Sequence, residues 1–403
     1  MSAPPPAVRR TADVLLAVTV ASVPLSTTGM EAGVGALALL AAVGALRGWG
    51  IVRRSPLDGV LLLFYATLAV STLVSGRPLH AVGWVHAWVV LAYFVVVWWV
   101  RDAPHAVRLA RLLVLAGAVA AAYGIAQHFT GIDWYRQLLR RPLFVRARTT
   151  ASGQFAVIGF FRNYLTYAHT MIFPLAFGAS FALGGWRPAL VAAPLAIVAI
   201  AFSTARGAWL AALAVAIALG TVARGRRVLP LLGALVGAAV VAVAAAPELR
   251  AEAAYMFAPG GENAGRLAIY AANLDIVHAH PVFGLGFGRY QQAAGPYYDA
   301  HPSADRRSHA HNNFLQIAAE AGLTGLAAFG LVWAVVLRRG WEAIGAAPGP
   351  DARAVAAGAW AGVIGFLVGG LTQYTYGDAE VAIAMWTAVG LLLRAGKAVQ
   401  ADG

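Results

Sequence analysis

Twelve apolar runs, each about as long as a bilayer crossing, follow one another along this chain with almost no charge inside them. They lie near 12–28, 32–46, 58–75, 82–100, 107–127, 163–183, 188–204, 208–223, 228–246, 314–337, 354–371 and 380–394. A hydrocarbon layer of ~30 Å takes about 20 apolar residues in a helix. Only helices or closed barrels satisfy their own backbone polar groups there. Apolar residues make up 60% of the 403 and charged residues 12%, a balance foreign to water-soluble domains. The expected fold class is an all-α polytopic membrane protein with about twelve transmembrane helices, one integral domain over 1–403. The first run, behind Arg9 and Arg10, resembles a secretory signal, but the spans that follow favour an uncleaved first helix. Cysteine is absent, which excludes disulfides, thiolate metal sites and cysteine nucleophiles.

Basic residues set the expected orientation. With both termini cytoplasmic, one set of helix ends holds Arg9, Arg10, Arg53, Arg54, Arg101, Arg111, Arg338 and Arg339, among others. The short outer loops hold only Arg77 and Arg206. Two long outer segments remain, an arginine-rich one at 129–162 and a second at 247–313, before the tenth span. The net charge of +13 is read as anchoring to anionic lipid heads. Its basic groups line membrane edges rather than one patch, so no nucleic-acid partner is expected.

Transporters place ionisable groups near the midplane of the bilayer. These spans carry almost none, and Glu320 belongs to the outer third of its run, so the polar interest lies at the outer face. Its centre is HNNFLQIAAEAGLTG, residues 311–325. At ~100° per residue, a continuous helix would bring Gly322 to within about 20° of His311. Paired glycines would then let a neighbouring helix approach closely and hold an imidazole still at the membrane surface.

Other candidates each carry two readings. Arg206, in STARGAW, is a helix-end anchor or an anion contact. Arg136, Arg140, Arg141, Arg146, Arg148 and Arg162, interleaved with aromatics, face anionic lipid heads or, on the sharper reading, a diphosphate lipid or acidic glycan. Arg162-Asn163 and His169 are sugar contacts or interface packing. Arg266 opens a stretch whose Leu267, Tyr270, Leu274 and Val277 recur at helical spacing, and His280-Pro281 ends it. Gly284, Gly286 and Gly288 form a phosphate cradle or, as the missing strand–helix context favours, a plain turn. His278/His280 and His309/His311, with Asp275, Asp299 and Asp305, have the composition of a zinc site without its spacing, and no metal is expected.

Taken together, HN-x9-GLTG, STARGAW, GRL at 265–267 and HPVFGLGFGRY at 280–290 resemble the O-antigen ligase and polymerase family over roughly residues 160–390. The resemblance implies a membrane glycosyltransferase of the C type, inverting, independent of metal and without a cofactor. It implies His311 as general base, Arg206 and Arg266 on the donor diphosphate, and an acidic residue in the last outer loop. Asp378 fits that place, with Glu380 close by. Asn312, Arg162, Asn163, Arg140, Arg141, Arg146 and Arg148 are the expected further substrate contacts.

The donor implied is an undecaprenyl-diphosphate-linked glycan. The acceptor is lipid A–core for a ligase, the favoured reading, or a second lipid-linked glycan for a polymerase. Such an enzyme works at the periplasmic face of the bacterial inner membrane. A lipid-linked oligosaccharide flippase is the alternative from another class. Apart from the resemblance, an imidazole can accept the proton of an attacking hydroxyl. Guanidinium forks can likewise stabilise a departing diphosphate without a metal.

Overall fold

The computed structural model describes residues 2–76, 87–145, 155–223, 262–304 and 309–396, together with 233, 237 and 240. Among the described residues the chain is helical and forms no strand. In order, the helices are α1 (Pro6–Ser22), α2 (Thr27–Leu46), α3 (Asp58–Val74), α4 (Leu91–Trp99) and α5 (Ala103–Thr130). Next come the short α6 (Trp134–Leu138), then α7 (Tyr164–Leu183), α8 (Ala189–Ser203) and α9 (Arg206–Val222). The remainder are α10 (Glu262–Ala279), α11 (Tyr290–Ala293), α12 (Gly295–Asp299), α13 (Asn313–Ala346), α14 (Pro350–Gly369) and α15 (Ala379–Ala395).

Four of them, α2, α5, α13 and α14, are long and apolar enough to cross a membrane alone, and the chain is a helical membrane protein. Eleven of the twelve expected spans overlap a helix, while the run at 228–246 lies almost wholly outside the described residues. The first span is displaced. Its helix covers Pro6–Ser22 rather than 12–28, because Pro24 cannot continue it and Ser26 caps α2 by accepting from Gly29 N at 3.1 Å.

α7 is the axis of the bundle, buried at every position from Thr166 to Ala182 and packed by α5, α8, α9 and α14. α14 comes close because it is lined with glycine. A Cβ at Gly358 would lie 2.9 Å from Phe177 Cα, and one at Gly362 3.1 Å from Phe173 Cδ1. The close helix approach expected of the GLTG glycines is therefore made by the 358–365 glycines.

At one end of the bundle, Arg101 pairs with Asp13 at 3.0 Å, and Arg394 donates to the carbonyl of Arg101. At the other end, α10, α11 and α12 form a small cap. Ile269, Ala272, Ile276, Tyr290 and Tyr298 share its core with Ala310 and Ala319. The buried stripe of α10 is thus Ile269–Ala272–Ile276, while the spaced Leu267, Tyr270, Leu274 and Val277 lie on another face. Leu267 and Leu274 point outward at 67% and 48% exposure, because α10 packs on the head of α13 through the opposite face.

α13 does not run on as one helix from His311. His311 precedes the cap residue Asn312, and the helix breaks at Gly322, whose φ is 68° and ψ −170°. The angular alignment of His311 with Gly322 and Gly325 therefore does not hold. The break is filled by the loop that follows α10. Leu323 N donates to Pro281 O at 2.8 Å, Leu285 N to Ala319 O at 2.9 Å and Gly286 N to Glu320 O at 2.9 Å. Ser71 of α3 adds bonds to the carbonyls of Phe283 and Glu320, at 2.8 and 2.9 Å. Backbone groups freed by the break are thereby paired, as an apolar surrounding demands.

Only glycine occupies that φ/ψ region without strain, and a Cβ at Gly322 would sit 2.2 Å from Val282 O. Gly322→Ala is expected to destabilise the protein by about 3 kcal/mol, from strain and overlap together. A thermal midpoint equal to wild type in detergent would show that the seam is loose.

Candidate active site

The loop of residues 370–378 between α14 and α15 gathers the expected site residues by its carbonyls. Arg266 Nη1 donates to Thr372 O at 2.8 Å, Tyr270 OH to Leu371 O at 2.9 Å and Asn312 Nδ2 to Leu371 O at 3.0 Å. Asn313 N reaches Gly370 O at 2.6 Å, and Asn313 Oδ1 accepts from Tyr376 N at 2.9 Å. Asn312 also caps α13, its Oδ1 taking Phe314 N and Leu315 N at 2.8 and 3.0 Å. Asn312 thus clamps helix to loop, with both ends of its amide engaged by the chain itself.

His311 stands immediately before that cap at φ 50°, one of three described non-glycine residues with positive φ. The others are Arg140 and Thr204, and Thr204 precedes Arg206. Strained backbone of this kind persists where surrounding bonds hold it and concentrates at functional sites. His311 Nδ1 lies 2.7 Å from Gln373 Oε1. A carbonyl oxygen only accepts, so Nδ1 carries the proton and the lone pair is on Nε2. His309 packs its ring 4.3 Å from that of His311 and accepts from His311 N through Nδ1 at 3.2 Å.

Two cavities meet at Gln373. The first, about 240 Å³, is lined by Arg206 and Arg266 together with His169, Tyr164, Thr204 and Thr372. The second, about 480 Å³, is lined by Glu320, Asp378, His309, Asn163, Tyr374 and Gln316 among others. Arg206 and Arg266 thus share one chamber, although they stand 60 positions apart in the sequence.

Asp378, expected as the acidic residue of the last outer loop, caps α15, and its Oδ2 accepts from Thr166 Oγ1 at 2.5 Å. The loop residue bound to His311 is Gln373, a role sequence reasoning missed; the only signal was its position in the same outer loop. Glu320 accepts from Gly288 N and Tyr290 N at 3.2 and 3.4 Å, so the glycine turn at 284–288 cradles a carboxylate of this chain rather than a phosphate.

Asn163 caps α7 and opens on the second cavity, whereas Arg162, Arg140 and Arg141 are exposed and line neither cavity. Arg146, Arg148 and Asp305 lie outside the described residues. Arg136 of the same arginine-rich segment is buried in an ion pair with Asp133 at 2.6 Å, which removes it from any anionic ligand. Among the described residues, no three histidine or acidic side chains form a metal-ligand group. His301 Nε2 is instead 2.7 Å from Asp275 Oδ2, and His280 Nε2 3.0 Å from the Tyr297 hydroxyl.

Burial raises the Tyr270 hydroxyl above its ordinary value, with the Arg266 charge opposing, so it stays a hydrogen-bond donor to the loop. A carboxylate in place of Gln373 would favour the imidazolium form of His311. Gln373→Glu is therefore expected to move the acid limb of the rate profile to higher pH by about one unit. An unmoved limb in a pH–rate titration would remove Gln373 from contact with the base.

No curated protein matches the chain. Residues 189–330, from the start of α8 past the break in α13, match the O-antigen ligase family, whose members are glycosyltransferase-like ligases and polymerases. The match takes in Arg206, Arg266, His311 and Gly322, and over that stretch this membrane protein is similar to the O-antigen ligase family.

Proposed function

We propose that the chain is an O-antigen ligase that moves a glycan from an undecaprenyl diphosphate to a sugar hydroxyl of lipid A–core. One observation carries the transferase reading: a histidine with its lone pair on Nε2 stands beside Gln373, the shared wall of an arginine-lined cavity and a carboxylate-lined one. The diphosphate occupies the first cavity under Arg206 and Arg266. The acceptor sugar occupies the second, where carboxylates, amides and tyrosines suit a polyhydroxylated ring.

The acceptor oxygen attacks the anomeric carbon, and its proton passes to His311 Nε2. The bond from that carbon to the diphosphate oxygen breaks as the new one forms, which inverts the centre. The two guanidiniums meet the charge left on the diphosphate, and the imidazolium then returns its proton to solvent. The chemistry needs no metal, and a chelator should leave the rate unchanged.

In this reading twelve spans cross the inner membrane, both termini are cytoplasmic, and the cap of α10–α12 and both cavities face the periplasm. The matched family takes in both reactions; the ligase is preferred because HN-x9-GLTG resembles that branch and the outer segment at 247–313 is long. Purified protein given a long lipid-linked glycan and lipid A–core should yield the joined product in one step. Chain growth from single lipid-linked repeats, with lipid A–core ignored, would make it a polymerase. Glycan translocation that survives loss of His311, with no transfer product, would make it a transporter.

A further inference from the structure

His169 lies in α7 and lines the arginine cavity, 3% exposed. Its Nδ1 is 2.8 Å from Leu165 O, one turn back in the same helix, so Nδ1 carries the proton in the neutral ring. Its other nitrogen, Nε2, is buried and has no hydrogen-bond partner among the described residues. A buried polar atom left without a partner carries a desolvation cost, and such atoms are rare enough to need a reason.

Two glycines keep the ring's edge clear. A Cβ at Gly369 would lie 3.2 Å from His169 Nε2, and one at Gly207, beside Arg206, 3.5 Å from it. Gly207 stays small for Thr372 as well, whose hydroxyl a Cβ would meet at 2.1 Å.

We infer that His169 Nε2 is the acceptor for a hydrogen-bond donor on the sugar attached to the diphosphate, the hydroxyl or amide N–H next to the anomeric carbon. The inference rests on the proposed placing of the lipid diphosphate in this cavity. An imidazole lone pair repels an ionised phosphate oxygen, so its partner must bring a hydrogen. In a chamber where two guanidiniums take the diphosphate, the nearest group able to do so is the substituent on carbon 2 of the first sugar. His169 would then separate a glycan-loaded carrier from the spent carrier, which keeps the diphosphate and has lost the sugar.

The test measures binding to the full-length protein in nanodiscs, without turnover. The probes are undecaprenyl diphosphate, the same carrier bearing N-acetylglucosamine or glucose, and one bearing 2-deoxyglucose. His169→Phe keeps the ring and loses the acceptor; His169→Gln restores an acceptor oxygen.

His169→Phe is expected to bind the sugar-bearing carriers about tenfold more weakly, the size of one hydrogen bond. It should bind bare undecaprenyl diphosphate as wild type does, and His169→Gln should recover part of the loss. Wild type should show the same tenfold deficit toward the 2-deoxyglucose carrier, and His169→Phe no further one. Equal weakening toward the bare carrier would overturn the inference and make His169 a third cation on the diphosphate. Unchanged affinity for every probe would make it a packing residue. If wild type binds no carrier, or Arg206→Lys and Arg266→Lys leave carrier binding intact, the placing of the donor fails instead.

Discussion

Replacing His311 with alanine should lower turnover by roughly 10²–10⁴, the usual contribution of a positioned general base. His311 sits at φ 50°, so alanine also bears a backbone cost, and a loss of activity alone would not separate chemistry from folding. His311→Asn is the cleaner replacement, since asparagine tolerates that conformation and cannot take the proton. Both variants should insert and still bind the lipid diphosphate, and His311→Asn should also keep the wild-type thermal midpoint. Transfer at a near-normal rate by His311→Asn would mean that another group accepts the proton. In the wild-type enzyme the rate should fall as acid protonates Nε2, with binding of the carrier unaffected.

Lysine at position 206 or 266 should lose about 10²-fold in turnover, even though the charge is kept. A departing diphosphate spreads its charge over several oxygens, and the planar guanidinium meets two of them at once where an ammonium meets one. Removing one such preorganised donor commonly costs 10²–10³ in rate. Arg266 has a second duty, since its Nη1 holds Thr372 O at 2.8 Å in the loop that carries Gln373. Arg266→Lys should therefore also disturb the pH profile through Gln373 and His311, and Arg206→Lys should not. Full activity for both lysine variants, measured at saturating donor, would reduce the two arginines to anchors in the headgroup layer.

The helices were legible because an apolar run of span length admits few other structures, and Asn163, Asn312 and Asp378 turn out to cap α7, α13 and α15. The same polar residues were harder to assign to chemistry. A cap and a substrate contact need the same side chain, and only the direction of the oxygen tells them apart. Asn312 was read as a substrate contact and is bound to its own backbone. The apolar spacing on α10 marked a helix without marking its inner face: Leu267 and Leu274 point outward, while Ile269, Ala272 and Ile276 are buried. Gln373 was invisible because its partner is 62 residues away and neither residue type advertises the other. The arginine pair was legible from family likeness, not from spacing.

The nine residues between His311-Asn312 and the GLTG string act as a gauge of fixed length. One end of that short rod is pinned by Asn312 and Asn313 to the 370–376 loop, the other by the break at Gly322 to residues 281–286. A residue added or removed between them would turn one end by ~100° against the other and shift it by 1.5 Å along the axis. Either the imidazole or the seam would then lose its partners. Substitutions inside the rod that keep its size should be tolerated, whereas a single insertion or deletion at Ala318 should abolish activity, whatever residue is used.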